Sequence, residues 1–533
     1  MKKIFFITFI LGVLIACSKE MLAPTTPTYD GDVSFISASI IEAEEGFLDD
    51  LPRLRSSIDY PTSGNATYRW SAGDKIGAVQ IINNNPPVTY AINADVFQGN
   101  FPFSLANEGV NPLISQGIFA SEELTFSGLT EGEQYFFYYP YNENAIVNGE
   151  LVFNMPPQKQ EGSASTISNL SGRDFMFSLD TIIAENQQRS LVASELDQVK
   201  FSHATASLKY KIAGSSAQTK IYCIDLHSGS SIFATRATLS AETALRSRGN
   251  SIPLQYYYSN ETNSMPLYLG ENGYTLSSSS DTLMSSLLLF PIDGMGNVNV
   301  YLHTNKGTYT VPKNITTNIV ANKYYSLNIN NLSSSPLTST TWDNASSILP
   351  PPIIGDSIFI YCAAHLAWIS SISYNTYSDP RIGNNVTFNG YKIKMINDID
   401  LNNITWKPIK DFEGVFDGNG RTISGLYIYR GSIMNFGVFS VNYGTIKNLI
   451  IKAPYISSLT THAGAIAGSN SNNGLIVNCH VIEGGTITGG NYIGGIVGYN
   501  SNTGLTFGDC SVDPKTTISG RPYYGRKCGY PSI

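Results

Sequence analysis

The sequence predicts an all-β protein: two β-sandwich blocks followed by a coil of short stacked strands. Three observations carry the prediction. Charged residues make up only 14% of the 533 residues, while Ser, Thr, Asn and Gly are abundant and Tyr reaches 32. Strands with a wetted face and many turns produce that mix more readily than surface helices, which favour Glu and Lys. Apolar residues come in short runs bounded by Gly, Pro and Asn, the pattern of strands and turns. Finally, a Gly-rich unit recurs at an offset of 30 in the last third of the chain. That is too short for an independent domain, so neighbouring units must stack to share one core.

The same composition excludes several functions. A formal net charge of −8 argues against nucleic acid, whose phosphates attract basic patches. The six histidines are scattered, and none clusters with cysteines or carboxylates, so no metal or other cofactor is expected. Gly-x-Ser-x-Gly, His-Glu-x-x-His and phosphate-loop patterns are missing, and no enzyme is expected. Six cysteines are too few for a disulfide scaffold, and Cys223, Cys362, Cys479, Cys510 and Cys528 remain once Cys17 is set aside.

Cys17 closes the first element. Lys2 and Lys3 precede an apolar run from Ile4 to Ile15, too short to span a bilayer and typical of a secretory signal, here 1–16. Leu14–Ile15–Ala16–Cys17 resembles a bacterial lipobox, which implies acylation of Cys17 (a palmitate-type anchor) in the outer membrane. Residues 17–31, rich in Pro and Thr, read as a flexible tether.

The first block, 32–190, opens with a strand over 33–40, followed by a polar break containing Arg53 and Arg55. Further strands are expected at Gln134–Tyr139 and Leu151–Phe153. The second block, 191–330, is predicted from Val199–Ile212, Ile221–Leu226, Val298–Leu302 and Tyr324–Ile329. His203 lies beside a strand with no acid or nucleophile near it in sequence, and reads as a packing residue. Residues 331–355, rich in Ser, Thr and Pro, read as a linker. In the last block, 356–533, Ala363–Ser373 places Leu366 and Ile369 at helical spacing, as a short amphipathic helix capping the stack would.

The repeat is defined by Gly464 and Gly468, which recur as Gly494 and Gly498, and by Gly474, which recurs as Gly504. Ser440 stands where later copies have glycine. Glycines are expected to permit tight corners and positive φ, with asparagines stacking at turns. Cys479 and Cys510 hold like positions in successive units, as a core thiol ladder or a disulfide. Asp398, Asp400, Glu413 and Asp417 invite comparison with the carboxylate pairs of glycan-cleaving coils, although Asp417–Gly418–Asn419–Gly420 reads as a turn.

Several landmarks resemble the fimbrillin-like proteins of Bacteroidetes. Phe35–Glu42 is similar to that family's opening strand, Arg53 or Arg55 to the arginine before its mature body, and Trp70–Gly77 to its Trp-x-x-Gly-Asp segment. Phe201–Lys209 is similar to the strand opening its second domain, and Lys323–Leu327 to its closing strand. The resemblance implies two transthyretin-like sandwiches and cleavage after Arg53 or Arg55. Release of the first strand would then open a groove that a strand of another fimbrial subunit fills. Residues 356–520 resemble the GLUG repeats of bacterial surface proteins, with Asp398–Leu401, Trp406–Ile409 and Phe412–Leu426 as lead-in. That resemblance implies a right-handed β-solenoid.

The function expected is a non-enzymatic, lipid-anchored fimbrial tip or accessory adhesin. Its solenoid would bind a host or bacterial surface protein or glycan through Tyr427, Tyr429, Tyr455, Tyr492 and Tyr499. The alternative is a glycan-binding or polysaccharide-cleaving lipoprotein of nutrient capture.

Overall fold

The computed structural model describes residues 34–41, 44–46, 70–71, 73–82, 96–106, 113–114, 116–124, 132–160, 174–179, 182–183, 199–214, 218–246, 256–278, 280–330, 332, 335–429, 434–457, 462–501, 507–520 and 523–530. Strands dominate them, and the helices are Ala241–Arg246 and Ala363–Ser373.

The sheet expected as a layer of the first sandwich closes on itself. Its strands run in the order Met176–Ser178, Val199–His203, Ser34–Ile40, Gln116–Ser121, Val96–Leu105, Lys75–Ile82, Gln134–Tyr139 and Ile182–Ile183, and Met176–Ser178 also pairs with Gln134–Tyr139. That second pairing, Met176 opposite both His203 and Tyr139, makes a barrel of the first seven. Closure removes free sheet edges. Alternation explains why Gln134–Tyr139 has five consecutive buried residues. Tyr135, Phe137 and Tyr139 join one core with Ile36, Trp70 and Phe201. Phe136 and Tyr138 join another with Leu151, Phe153 and Leu239, from an adjoining four-stranded sheet.

The stretch expected to open the second block is two strands. Val199–His203 belongs to the barrel, whereas Ala206–Ala213 pairs with Thr282–Leu289 and Lys323–Ile329 in a separate four-stranded sheet. That sheet shares a core with a seven-stranded sheet: Leu208, Tyr210 and Ile212 pack with Ile224, Leu226, Val300 and Leu302. The short strand Glu44–Gly46 runs parallel to Lys323–Ile329, so the N-terminal segment enters both the barrel and this second unit.

Beyond residue 391, strands of two to four residues stack in parallel, register fixed rung by rung. One column runs Phe416, Ile446, Ile476, Phe507, and a second Ile428, Ile456, Ile487, Ile518. Inward Phe416 and the isoleucines supply the shared core. A buried asparagine ladder links the turns: Asn442 Nδ2 donates to Asn470 Oδ1 at 2.8 Å, and Asn470 Nδ2 to Asn500 Oδ1 at 3.0 Å.

The described repeat glycines, Gly464, Gly468, Gly474, Gly494 and Gly498, serve close approach rather than positive φ. Left-handed backbone falls on other glycines of the stack, Gly420, Gly425, Gly484 and Gly485, and on asparagines such as Asn448 and Asn478, at φ 55° and 51°. A Cβ on Gly468 would lie 2.4 Å from the amide nitrogen of Phe436, one rung earlier. Ser440 is accommodated because Asn435–Phe436 is the first strand of its column, so no earlier one lies in its way.

Two further expectations change. The segment 331–355 does not hang free: Leu337–Ser339 pairs with Gly307–Ile315, and Trp342 is buried edge-on to Trp406, centroids 5.8 Å apart. The helix Ala363–Ser373 is not amphipathic. Every residue but Ser371 is buried, because it lies between the stack and the seven-stranded sheet. Leu366, Trp368, Ile369 and Ile372 face the stack's core, while His365 meets His303 of the sheet at 5.2 Å. Its two buried serines are satisfied: Ser370 Oγ donates to the Lys407 carbonyl at 2.7 Å and Ser373 Oγ to the Ser370 carbonyl at 2.6 Å.

Candidate functional site

Two features are candidates, the N-terminal strand of the barrel and the tyrosines of the stack. Cys17, Arg53, Arg55 and Gly504 lie outside the described residues.

The strand Ser34–Ile40 is an internal stave. It runs antiparallel to Gln116–Ser121, from Ser34 opposite Ser121 to Ser39 opposite Gln116. On its other side it runs parallel to Val199–His203 over only three pairs, Ala38–Val199 to Ile40–Phe201. Ile36 and Ala38 are fully buried. Trp70 closes the barrel's core beneath it, its Nε1 donating to the Ala38 carbonyl at 3.1 Å. The indole stands edge-on to Phe119, Tyr139 and Phe201, at 4.9, 5.5 and 5.6 Å. Removal of this stave would leave two unpaired strand edges flanking an apolar slot.

The five tyrosines are spread over three successive sheets of the stack. Tyr427, Tyr429 and Tyr455 lie on the sheet formed by Tyr427–Tyr429, Tyr455–Ser457, Thr486–Thr488 and Thr517–Ser519. The Tyr427 and Tyr455 rings stack across rungs at 5.2 Å and 13°, with Tyr429 at 6.4 Å from Tyr427. Tyr429 and Tyr455 are 41% and 39% exposed. Tyr492 and Tyr499 belong to the next two sheets, around a residue the sequence reading missed. His462 stacks on Tyr499 at 5.0 Å and 15°, meets Tyr492 at 5.1 Å, and its Nδ1 is 2.7 Å from Asn435 Oδ1. Burial pulls its pKa below the ordinary histidine value. Its only sequence signal was register: His462 stands one rung before Tyr492.

Other residues singled out by chemistry are tied into structure. His203 has an acid neighbour after all: its Nδ1 is 2.6 Å from Asp174 Oδ2, and Thr205 Oγ1 donates to Asp174 Oδ1 at 2.7 Å, all buried. The carboxylates of the stack accept turn hydrogen bonds. Asp398 takes the Thr422 amide at 2.8 Å, Asp400 the Asn402 amide at 2.9 Å, and Glu413 the Thr387 hydroxyl at 3.2 Å. Asp417 takes the Asn419 amide at 2.8 Å and Asn448 Nδ2 at 2.9 Å. Cys479 and Cys510 are buried thiols without a disulfide, the Cys479 amide donating to Cys510 Sγ at 3.4 Å. A side-chain hydrogen bond between the two thiols pushes Cys479 up and draws Cys510 down. Among the described residues no group of His, Cys, Asp and Glu is placed to hold a metal, and no helix is long and apolar enough to cross a membrane.

Comparison with known proteins gives local and family-level likenesses. Halomucin of Haloquadratum walsbyi is 38% identical over 101 residues, 19% of this chain. The chain spans only 1% and 18% of the first two curated relatives it matches. Among solved structures, the tip fimbrial protein Mfa3 from Porphyromonas gingivalis, with C-terminal truncation, is 11% identical at a TM-score of 0.27, over 56% of this chain and 94% of that one. A fimbrial protein from Bacteroides vulgatus is 10% identical at a TM-score of 0.23, over 50% and 92%. No detail transfers at such values. The family model described as fimbrillin-like, however, matches residues 62–341, more than half of the sequence and nearly all of the barrel and second unit. On that match the chain belongs to the fimbrillin-like family.

Proposed function

We propose that the protein is a lipid-anchored fimbrial tip or accessory adhesin. Acylation at Cys17 holds the precursor on the outer membrane, and the blocks 32–190 and 191–330 are its transthyretin-like fimbrillin units. Residues 356–533 form a right-handed GLUG-type solenoid that meets a surface ligand through the tyrosines. The observation that carries the reading is the internal position of Ser34–Ile40 in a closed barrel. A cut at Arg53 or Arg55 falls between Glu44–Gly46 and Trp70, so it severs both N-terminal strands from the rest. The vacated slot then accepts an extended strand of a neighbouring subunit by main-chain pairing, side chains alternating into the core. Beyond Ile329 the chain is pinned by Leu337–Ser339 and Trp342 and runs directly into the stack. It is therefore poorly placed to donate a strand of its own, which suits a terminal position.

Intact mass of protein extracted from cell surfaces tests the reading. Species beginning just after Arg53 or Arg55, found in fimbrial fractions, are expected. A single species still starting at acylated Cys17, absent from those fractions, overturns it.

A further inference from the structure

One face of the stack has a composition unlike the others. The sheet of Tyr427–Tyr429, Tyr455–Ser457, Thr486–Thr488 and Thr517–Ser519 turns its middle residues, Ile428, Ile456, Ile487 and Ile518, toward the core. The eight flanking positions point outward and are all at least partly exposed. Every one carries a hydroxyl and none a charge: Tyr427 and Tyr429, Tyr455 and Ser457, Thr486 and Thr488, Thr517 and Ser519. In-register pairing, Tyr427–Tyr455–Thr486–Thr517 and Tyr429–Ser457–Thr488–Ser519, arranges them in two straight rows. The rows lie about 6.6 Å apart, with a hydroxyl-bearing residue roughly every 4.8 Å along each. The preceding sheet lacks this character: its outward positions include Ile450, Lys452, His480 and Ile482, and Lys452 pairs with Glu483 at 2.9 Å.

We propose that this face binds a linear, uncharged polysaccharide laid along the stack axis. The inference rests on the adhesin reading and assigns its ligand class. A hydroxyl both donates and accepts, so a lattice of hydroxyls complements a ligand whose own hydroxyls do the same. The absence of charge on a chain of net charge −8 disfavours polyanions by removing any cationic partner for them, and gives cations no carboxylate to pair with. Protein interfaces are depleted in serine and draw on an apolar centre, which this face lacks beyond its tyrosine end. At that end Tyr427 and Tyr455 stack as a ladder while Tyr429 is followed by the small Ser457. The step leaves an aromatic surface beside which the C–H face of a sugar ring can lie. Because each rung repeats the same chemistry, a polymer gains by successive contacts what no single hydroxyl pair supplies.

Affinity electrophoresis and calorimetry of the full chain test this with four neutral linear polymers, a β-glucan, an α-glucan, a β-mannan and a xylan, and with hyaluronate as the charged counterpart. Retardation by at least one neutral polymer is expected, unchanged by 0.5 M salt. The triple variant Tyr455→Ala, Thr486→Val, Thr488→Val should weaken it tenfold or more, and Lys452→Ala on the neighbouring sheet less than twofold, with unchanged circular dichroism in both. Binding to none of the neutral polymers, binding only to hyaluronate, or binding indifferent to the triple variant overturns the proposal. Fractionation of fimbriae separates the two readings. Co-fractionation without glycan binding removes the ligand assignment alone, and glycan binding without co-fractionation removes the fimbrial role.

Discussion

At the scale of single residues, the stack is governed by which atoms its neighbours leave room for. Gly468 and Gly498 sit where a Cβ would lie 2.4 and 2.5 Å from the amide nitrogens of Phe436 and Ala463. Backbone cannot yield as a flexible side chain does, so Gly468→Ala should destabilise by about 2 kcal/mol or more, read as a lower urea midpoint. Ser440→Gly, at the equivalent first-rung position, should change it by less than about 1 kcal/mol. Asn470 is the central member of the buried ladder, bonded to Asn442 and Asn500. Asn470→Leu should cost about 2–3 kcal/mol, because it strands polar groups on both adjacent rungs. Thermal melts that place this variant within a degree of the parent would refute that account. The glycine spacing was legible in the sequence, but its reason was not. Positive φ was expected at the glycines and is found at Gly420, Gly425, Gly484 and Gly485 as well as at Asn448 and Asn478, but not at Gly468 or Gly498. The reason for those two is the distance between rungs, which is not visible along one chain.

At the scale of elements, the joint between the seven-stranded sheet and the stack concentrates buried titratable groups. His303 stacks on Tyr361 at 5.0 Å and its Nδ1 is 3.0 Å from Thr308 Oγ1. His365 Nδ1 accepts the Tyr361 amide at 3.2 Å, and Asn397 Nδ2 bridges the Thr304 and Tyr361 carbonyls at 2.7 and 2.8 Å. Asp379 and Arg381 pair at 2.7 Å nearby. Burial, reinforced by His365, Arg381 and His227, holds His303 well below the usual histidine pKa, and burial with Arg381 brings His365 to about 3. Burial lowers His227 as well. A histidine depressed on folding binds fewer protons than in the unfolded chain. Its stabilising contribution is therefore whole above roughly pH 6.5 and is lost as pH falls from there toward the folded value. Asp225, raised by burial against the pull of His227 and Arg381, works in the opposite sense, and its cost fades on acidification. With three histidines against one carboxylate, the melting temperature should fall between pH 7 and 4.5. His365→Asn, which keeps an acceptor for the Tyr361 amide, should flatten that slope. An unaltered slope would remove His365 from the explanation.

At the scale of the whole molecule, the same joint decides how the parts unfold. Cys223 and Tyr268 of the sheet share a buried cluster with Ile354, Phe359, Tyr361 and Ile396, and Tyr268 stacks on Phe359 at 5.2 Å. Lys394 pairs with Glu271 across the boundary at 2.6 Å. Neither side can leave without exposing apolar surface, so calorimetry should show the second unit and the stack melting in one transition. Two resolved transitions, one of them preserved in a chain ending at residue 341, would contradict this.

The division between sequence and tertiary structure follows from the range of the interactions. The 30-residue repeat was readable because stacking in register demands turns of nearly equal length, and each turn is local. The helix at Ala363–Ser373 was readable from its own spacing, though not its burial on nearly every side. The strand Ser34–Ile40 was readable for the same reason, as a run of its own. Its place between Gln116–Ser121 and Val199–His203 was not, nor was the closure of the barrel through the three residues of Met176–Ser178. Those depend on pairings between residues 37 apart, as for Met176 and Tyr139, to 161 apart, as for Ala38 and Val199, and such pairings leave no periodicity behind. Likewise the tyrosines were visible as a composition. Only the register of neighbouring turns separated Tyr427, Tyr429 and Tyr455, on the hydroxyl face, from Tyr492 and Tyr499 around His462, because a face of stacked strands is assembled from residues that the chain itself keeps a full turn apart.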